Sequence, residues 1–443
     1  LGAVFLCTTG AEALYSDLGH CGRGNIRVSW GFVKTALLLN YMGQGAWLLE
    51  HEGQILGERN PFYLLMPDWF LILGILIATF AAIIASQALI SGSFTLVGEA
   101  IRLNLFPKVK VVFPSHMKGQ LYIPSLNLML WIGCVGIMLH FQESAAMEAA
   151  YGLAITVTML MTTMLLMYYL RLKRYPVFFV AVLFILYAVI EGAFLAANLL
   201  KFMHGGYVTV VVALLIGGLM WIWLEAGEIK SGLIEMVKLP DYQSQLKQLS
   251  SDVDFPKYAT HLVFLSKARR DDEVEHAVMY SILNKQPKRA DVYWFVHVEV
   301  TDEPDTMAYY VRTYEEDDLY RIHFKLGFRV PQQITGLLRQ AISELVTNNE
   351  VHISKSAQKY HTQSDKKRVG DFKFVILKEI LTSENDLPFW KQWVLALHLT
   401  IKEFTGGPVR WFGLDGSIVE TEPVPLIVKP MAHPKLVRLN PPN

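Results

Sequence analysis

The sequence predicts an α-helical polytopic membrane protein followed by a cytoplasmic α/β domain. Composition comes first: of 443 residues, 52% are hydrophobic and only 18% charged, mean hydropathy is positive, and soluble domains are about a quarter charged. The division of charge comes second. Residues 1–226 hold 23 of the 80 charged side chains, about 10% of that stretch, whereas residues 227–443 are about 26% charged, an ordinary soluble value. The third observation is a series of apolar runs of spanning length, roughly 20 residues each. Forty basic residues cancel forty acidic ones, so no net field draws the chain to nucleic acid. Cys7, Cys21 and Cys134 form neither a CxxC pair nor a framework for disulfides or zinc.

Seven spans are expected, at about 1–18, 28–49, 69–93, 121–142, 149–170, 176–200 and 204–225, making residues 1–226 the membrane domain. Lys34 interrupts the second and Glu191 the sixth, while Glu12 and Asp17 interrupt the first. Seven crossings alternate the connecting loops between two sides. One set (19–27, 99–118, 171–174) carries nine Lys and Arg residues, and the other (50–66, 143–148, 201–205) carries only Arg59 and Lys201. The basic set belongs in the cytoplasm, so the chain starts outside and its tail, 227–443, emerges inside. Leu1 opens an apolar run with neither Met nor a basic leader, which reads as the carboxyl part of a longer protein.

In the tail, "THLVFLS" (260–266), "DVYWFVHVEV" (291–300) and "LYRIHFKLGF" (319–328) read as strands, and 272–284, 331–346 and 388–403 read as helices. Residues 348–371, polar and rich in charge, read as a mobile insertion.

Charged groups inside a bilayer are costly, which makes Glu12 and Asp17 the first functional candidates. Around them, Gly10 breaks an apolar run beside the hydroxyls of Thr8 and Thr9. An interrupted helix frees carbonyls that can replace the hydration shell of a hard alkali cation. The alternative is that Thr8 and Thr9 bond to their own helix and Asp17 caps a membrane end.

"TTGAEALYSDLGHCGRGNIRVSW" (8–30), "LLLNYMGQGAWLL" (37–49), "IIASQALISGSFTL" (83–96), "GQLYIPSLNLML" (119–130) and "AYGLAITVTML" (150–160) resemble, in order, the KUP/HAK/KT potassium uptake permeases, particularly the bacterial branch. The resemblance covers residues 1–226. It implies the second half of an inverted-repeat amino acid/polyamine/organocation permease of twelve spans, the seven here being the sixth to twelfth. It also implies secondary active potassium uptake across the plasma membrane by potassium:proton symport, without enzymatic activity or a resident cofactor. Thr8, Thr9 and Tyr15 are the implied cation-binding residues, with the Thr9 hydroxyl near the potassium site; the alternative for Tyr15 is core packing. Glu12 and Asp17 belong to the same signature as proton-coupling or gating carboxylates. Burial raises a carboxyl pKa and a neighbouring cation lowers it, an opposition able to link the two ions; the alternative for Glu12 is a fixed carboxylate bracing the broken helix.

Asn40, Tyr41, Gln44, Ser86, Gln87, Ser91 and Thr95 are expected to serve helix packing, with Gly43, Gly45 and Gly92 allowing close approach. Glu191 lies outside the transport core the resemblance implies, which favours a pairing or subunit-interface role. The tail's histidines lack ligand spacing, and no GxGxxG, GxxxxGK[ST] or GxSxG occurs. Two readings of the tail stay open: regulation through a bound nucleotide or homodimer formation, or stabilisation without ligand. For the whole chain, an organic-substrate permease of the same fold and a membrane-anchored sensor are the competing readings. The partners expected are potassium, protons and the lipid bilayer.

Overall fold

The structure is a computed structural model that describes Val4, Phe5, Gly10 and residues 22–426, apart from 58–59, 117–118, 233, 269, 316–317, 349, 352–370, 382–386, 406–408, 410–411 and 415–417. The expected insertion at 348–371 therefore falls almost entirely outside the described residues. The chain divides into two compact units, Leu1–Glu99 with Gly119–Gly218, and Ala100–Lys118 with Leu219–Asn443.

In the first unit the long helices are α1 (Arg23–Glu50), α2 (Asp68–Arg102), α3 (Pro124–Phe141), α4 (Ser144–Leu172), α5 (Val177–Leu199) and α6 (Gly206–Ser231), α2 and α6 running on into residues of the second. Among the described residues α2 to α6 are long and apolar enough to cross a membrane; α1, with Arg23, Arg27, Lys34 and Glu50, is as long but less apolar. Apolar residues cover these helices all round, and Leu76, Phe80, Leu139, Leu165, Phe178 and Leu214 point outward, as they must where the solvent is hydrocarbon. α2 continues nine residues beyond the expected end of its span, to Arg102.

Close packing concentrates on the hairpin of α4 and α5. Its connection is only four residues, which makes the helices antiparallel neighbours. Gly152 permits the approach: a Cβ there would lie 2.8 Å from Asn198 Oδ1. Gly205, with φ +145°, lets the entry to α6 pass the backbone of α4, since a Cβ would come within 2.3 Å of Ala146 O.

The second unit is built on a six-stranded sheet in the order β5-β6-β4-β2-β7-β8, from β2 (Lys257–Leu265), β4 (Arg289–Thr301), β5 (Met307–Glu315), β6 (Leu319–Gly327), β7 (Phe372–Leu381) and β8 (Ile418–Leu426). All neighbours are parallel except β5 with β6. Both faces are covered, which is why the central strands read as continuous apolar runs. Val263, Val292, Trp294 and Ile322 pack beneath α9 (Ile334–Thr347). Leu262, Tyr293 and Phe295 pack on the other face with α7 (Gln243–Ser251) and α8 (His276–Met279), the latter continued by a π turn at Tyr280–Lys285. α10 (Phe389–Phe404) sets Val394 and Leu395 against Ile222, Ala226 and Ile229 of α6. β8 closes one edge and carries Pro423 and Pro425.

The α/β reading of the tail agrees with this sheet, with one local difference. The helix expected at 272–284 begins only at His276, because Glu273–Glu275 forms β3, paired antiparallel with β1 (Met236–Lys238), with Val274 buried. Within the six-stranded sheet, β5, β7 and β8 were not among the strands expected.

Candidate functional site

The residues singled out for cation binding and coupling, Thr8, Thr9, Glu12, Tyr15 and Asp17, lie outside the described residues. Two described neighbours bear on their segment. Gly10 has φ +109°, a value no right-handed helix contains, so the backbone is not α-helical at that residue. Phe5 is buried with its ring 5.0 Å from that of Phe194 on α5.

One turn before Phe194, Glu191 is buried at 5% exposure, and Thr163 Oγ1 on α4 donates a 2.7 Å hydrogen bond to its Oε1. Glu191 Oε2 has no hydrogen-bond partner among the described residues. A carboxyl group is thus held between two apolar helices by one hydroxyl, an arrangement that ties the helices in register because separating them would strand the acid. Further bonds cross the same unit. Asn198 Nδ2 donates to Gly152 O at 3.4 Å, Thr209 Oγ1 to Ala150 O at 2.7 Å, and His140 Nε2 lies 2.7 Å from the Tyr207 hydroxyl. The pairing role expected of Glu191 matches this geometry. Its partner Thr163 was not singled out, since a bond between residues 28 apart on two helices leaves no local pattern.

Other polar residues expected at helix contacts bond within their own helices: Gln44 Nε2 to Asn40 Oδ1 at 2.9 Å, Ser86 Oγ to Ile83 O at 2.8 Å and Thr95 Oγ1 to Ser91 O at 3.2 Å. Nor does Gly45 mark a close approach, since a Cβ there would meet nothing within 4 Å. Lys34 extends along its helix with Nζ 5.7 Å from the Trp30 ring centre.

Two polar clusters stand in the tail. In the first, the fully buried Arg321 donates from Nη2 to Ala268 O at 2.6 Å, from Nη1 to the carbonyls of Asp271 and Glu273, and from Nε to His323 Nε2 at 2.9 Å. Asp271 Oδ1 is also 2.9 Å from His323 Nε2. One ring nitrogen cannot both accept from Arg321 and donate to Asp271. Burial first, and the Arg321 guanidinium second, push the His323 pKa down to about 4, so at neutral pH the ring is uncharged and accepts from Arg321. Asp271 is answered instead by Arg312 Nη1 at 3.1 Å. In the second cluster the fully buried Lys288 pairs with Glu422 Oε1 at 2.8 Å and donates to Ser281 O, while Ser281 Oγ bonds Glu422 Oε2 at 2.6 Å. Beside it, Tyr258 donates to Glu420, which Lys373 also meets at 2.7 Å. Burial, then the bond to Glu420, drives the Tyr258 pKa far up. These networks satisfy their own members and fasten loops and strands together. Among the described residues no group of three or more His, Cys, Asp or Glu side chains is placed to hold a metal ion.

Residues 1–228 match the family model described as the K+ potassium transporter integral membrane domain, and residues 259–422 match that of the K+ potassium transporter C-terminal domain. A protein named "Probable potassium transport system protein Kup" from Cytophaga hutchinsonii is 52% identical over 440 residues, covering 99% of this chain and 67% of the relative. Proteins of the same name from Flavobacterium johnsoniae and Clostridium perfringens are 51% and 48% identical, again over 99% of this chain and over 67% and 66% of their own lengths. The chain thus spans about two thirds of these relatives. No solved structure matches it.

Proposed function

This chain belongs to the KUP/HAK/KT potassium transporter family, and from that premise we propose that it serves secondary potassium uptake across the cell membrane with protons as the coupling ion. The observation that carries the reading is the family match over residues 1–228 and 259–422 together with relatives named as potassium transport proteins at about half identity. Five membrane-length apolar helices give the chain its place in the bilayer. At 100 mV each charge moved inward gains about 2.3 kcal/mol, so a potassium ion and a proton together gain about 4.6 kcal/mol before any pH gradient is added. That drives accumulation without nucleotide hydrolysis, and the activity is transport rather than catalysis.

Within that function, the cation site is assigned to the first segment. Thr8, Thr9 and Tyr15 line it, and Glu12 and Asp17 couple or gate it. The non-helical backbone at Gly10 supports a broken helix there, and such breaks expose the carbonyls a dehydrated cation needs. The fold assigned to the membrane domain is the second half of an inverted-repeat permease. For the tail we assign the cytoplasmic side, on the basic-loop asymmetry, and a regulatory role through a nucleotide or a homodimer. The strand order supports the nucleotide version, because it reverses direction between β2 and β7, the kind of switch point at which open parallel sheets take ligands.

The test is rubidium entry into cells that lack other potassium uptake systems and express the full-length protein, across an imposed pH gradient. Uptake is expected to rise with inward proton drive and to fall in Thr9→Val. No uptake by a correctly inserted protein would overturn the transport reading, and pH-independent uptake would remove proton coupling.

A further inference from the structure

Helix α10 has two apolar sides. Val394, Leu395 and His398 turn toward the end of α6, the His398 ring lying 4.2 Å from that of Trp223. The other side presents Phe389, Trp390 and Trp393, which are 83%, 46% and 54% exposed. Trp393 lies one turn from both Phe389 (i, i+4) and Trp390 (i, i+3), so the three share one side of the helix. Lys391 stands among them with Nζ 5.3 Å from the Trp390 ring centre. Three large aromatic side chains on one exposed stripe are costly in water.

What covers them follows from the helix that α10 packs on. The contact residues Ile222 to Ile229 fall where the apolar run of α6 ends: its stretch without charge closes at Leu224, and Glu225, Glu228 and Lys230 follow. That is the level at which a spanning helix leaves the hydrocarbon. On the same stretch of α6, Trp221 and Leu224 turn outward, exposed. Tryptophan with lysine is the composition of a membrane–water boundary, the rings among the headgroups and the ammonium on their phosphates. We propose that α10 is an interfacial helix, and that Phe389, Trp390 and Trp393 rest in the headgroup layer of the leaflet on the tail's side of the membrane.

The test uses the unaltered full-length protein in nanodiscs of phosphatidylcholine and phosphatidylglycerol containing a phospholipid with a photoactivatable diazirine beside its headgroup. After illumination and digestion, lipid adducts are located by mass spectrometry. Adducts on residues 389–393 are expected at a yield several-fold above those on α7 of the tail and comparable with those at the end of α6. Labelled α6 with adducts at 389–393 no higher than on α7 would overturn the proposal. So would a Lys391–Lys391 link between two copies of the chain, formed by a bifunctional amine-reactive reagent in the same nanodiscs, which would give this face to a dimer.

Discussion

The hydroxyl of Thr163 is one donor, yet it is the only described bond made by a buried carboxyl group between two apolar helices. Thr163→Val should lower the stability of the detergent-purified protein by about 1–3 kcal/mol, and Thr163→Ser should restore most of it; equal melting of the two variants would sink the idea. His323 tests a residue in the tail. Its folded pKa of about 4 lies below the ordinary 6.5, so the stabilisation from holding it neutral is complete above pH 6.5 and is lost as the pH falls toward 4. Melting followed from pH 7.5 to 4.5 should show that decline, and His323→Gln should flatten it. Neither residue stood out in the sequence. Glu191 did, because a lone acid in an apolar run is rare, but any hydroxyl on a neighbouring span could have answered it. His323 was noted only as a histidine without ligand spacing, and its state depends on Arg321 and burial, which the sheet creates.

At the scale of elements, β8 is fastened by a buried ion pair as well as by its pairing with β7. Lys288 and Glu422 meet in the interior, far apart in sequence. Removing one leaves the other charged and unpaired, at a cost of about 3–5 kcal/mol. Lys288→Met should therefore speed amide hydrogen exchange across Ile418–Leu426 more than across β4, and adding Glu422→Leu should recover part of the protection. Faster exchange of equal size in both strands would mean a general loss of packing instead. The central strands were legible because two-sided burial writes them as unbroken apolar runs. β7 was hidden beside the polar stretch at 348–371, and β8, with its prolines and alternating acids in "IVETEPVPL", carries the composition of an edge. The membrane helices α2 to α6 were legible for a simpler reason, since a bilayer demands length and apolarity together.

For the whole molecule, the asymmetry of nine basic loop residues against two predicts sidedness. A fluorescent protein fused after Asn443 should fluoresce and an alkaline phosphatase fused there should be inactive, and the reverse pattern would invert the orientation. The cation site proposed for Thr8, Thr9 and Tyr15, with Glu12 and Asp17 as coupling or gating carboxylates, was legible only as a signature, and the uptake experiment tests it. Family membership was legible from five ordered segments, because the small and polar residues that interrupt their apolar runs make each segment distinctive. The margin of the tail's sheet carries a last consequence. Proline has no N–H to give, and Pro423 and Pro425 share the parity that points away from β7. A strand arriving from outside would find two consecutive donors missing there, so this margin is barred from templating growth, and copies crowded together in a membrane are kept from zipping into ribbons along it.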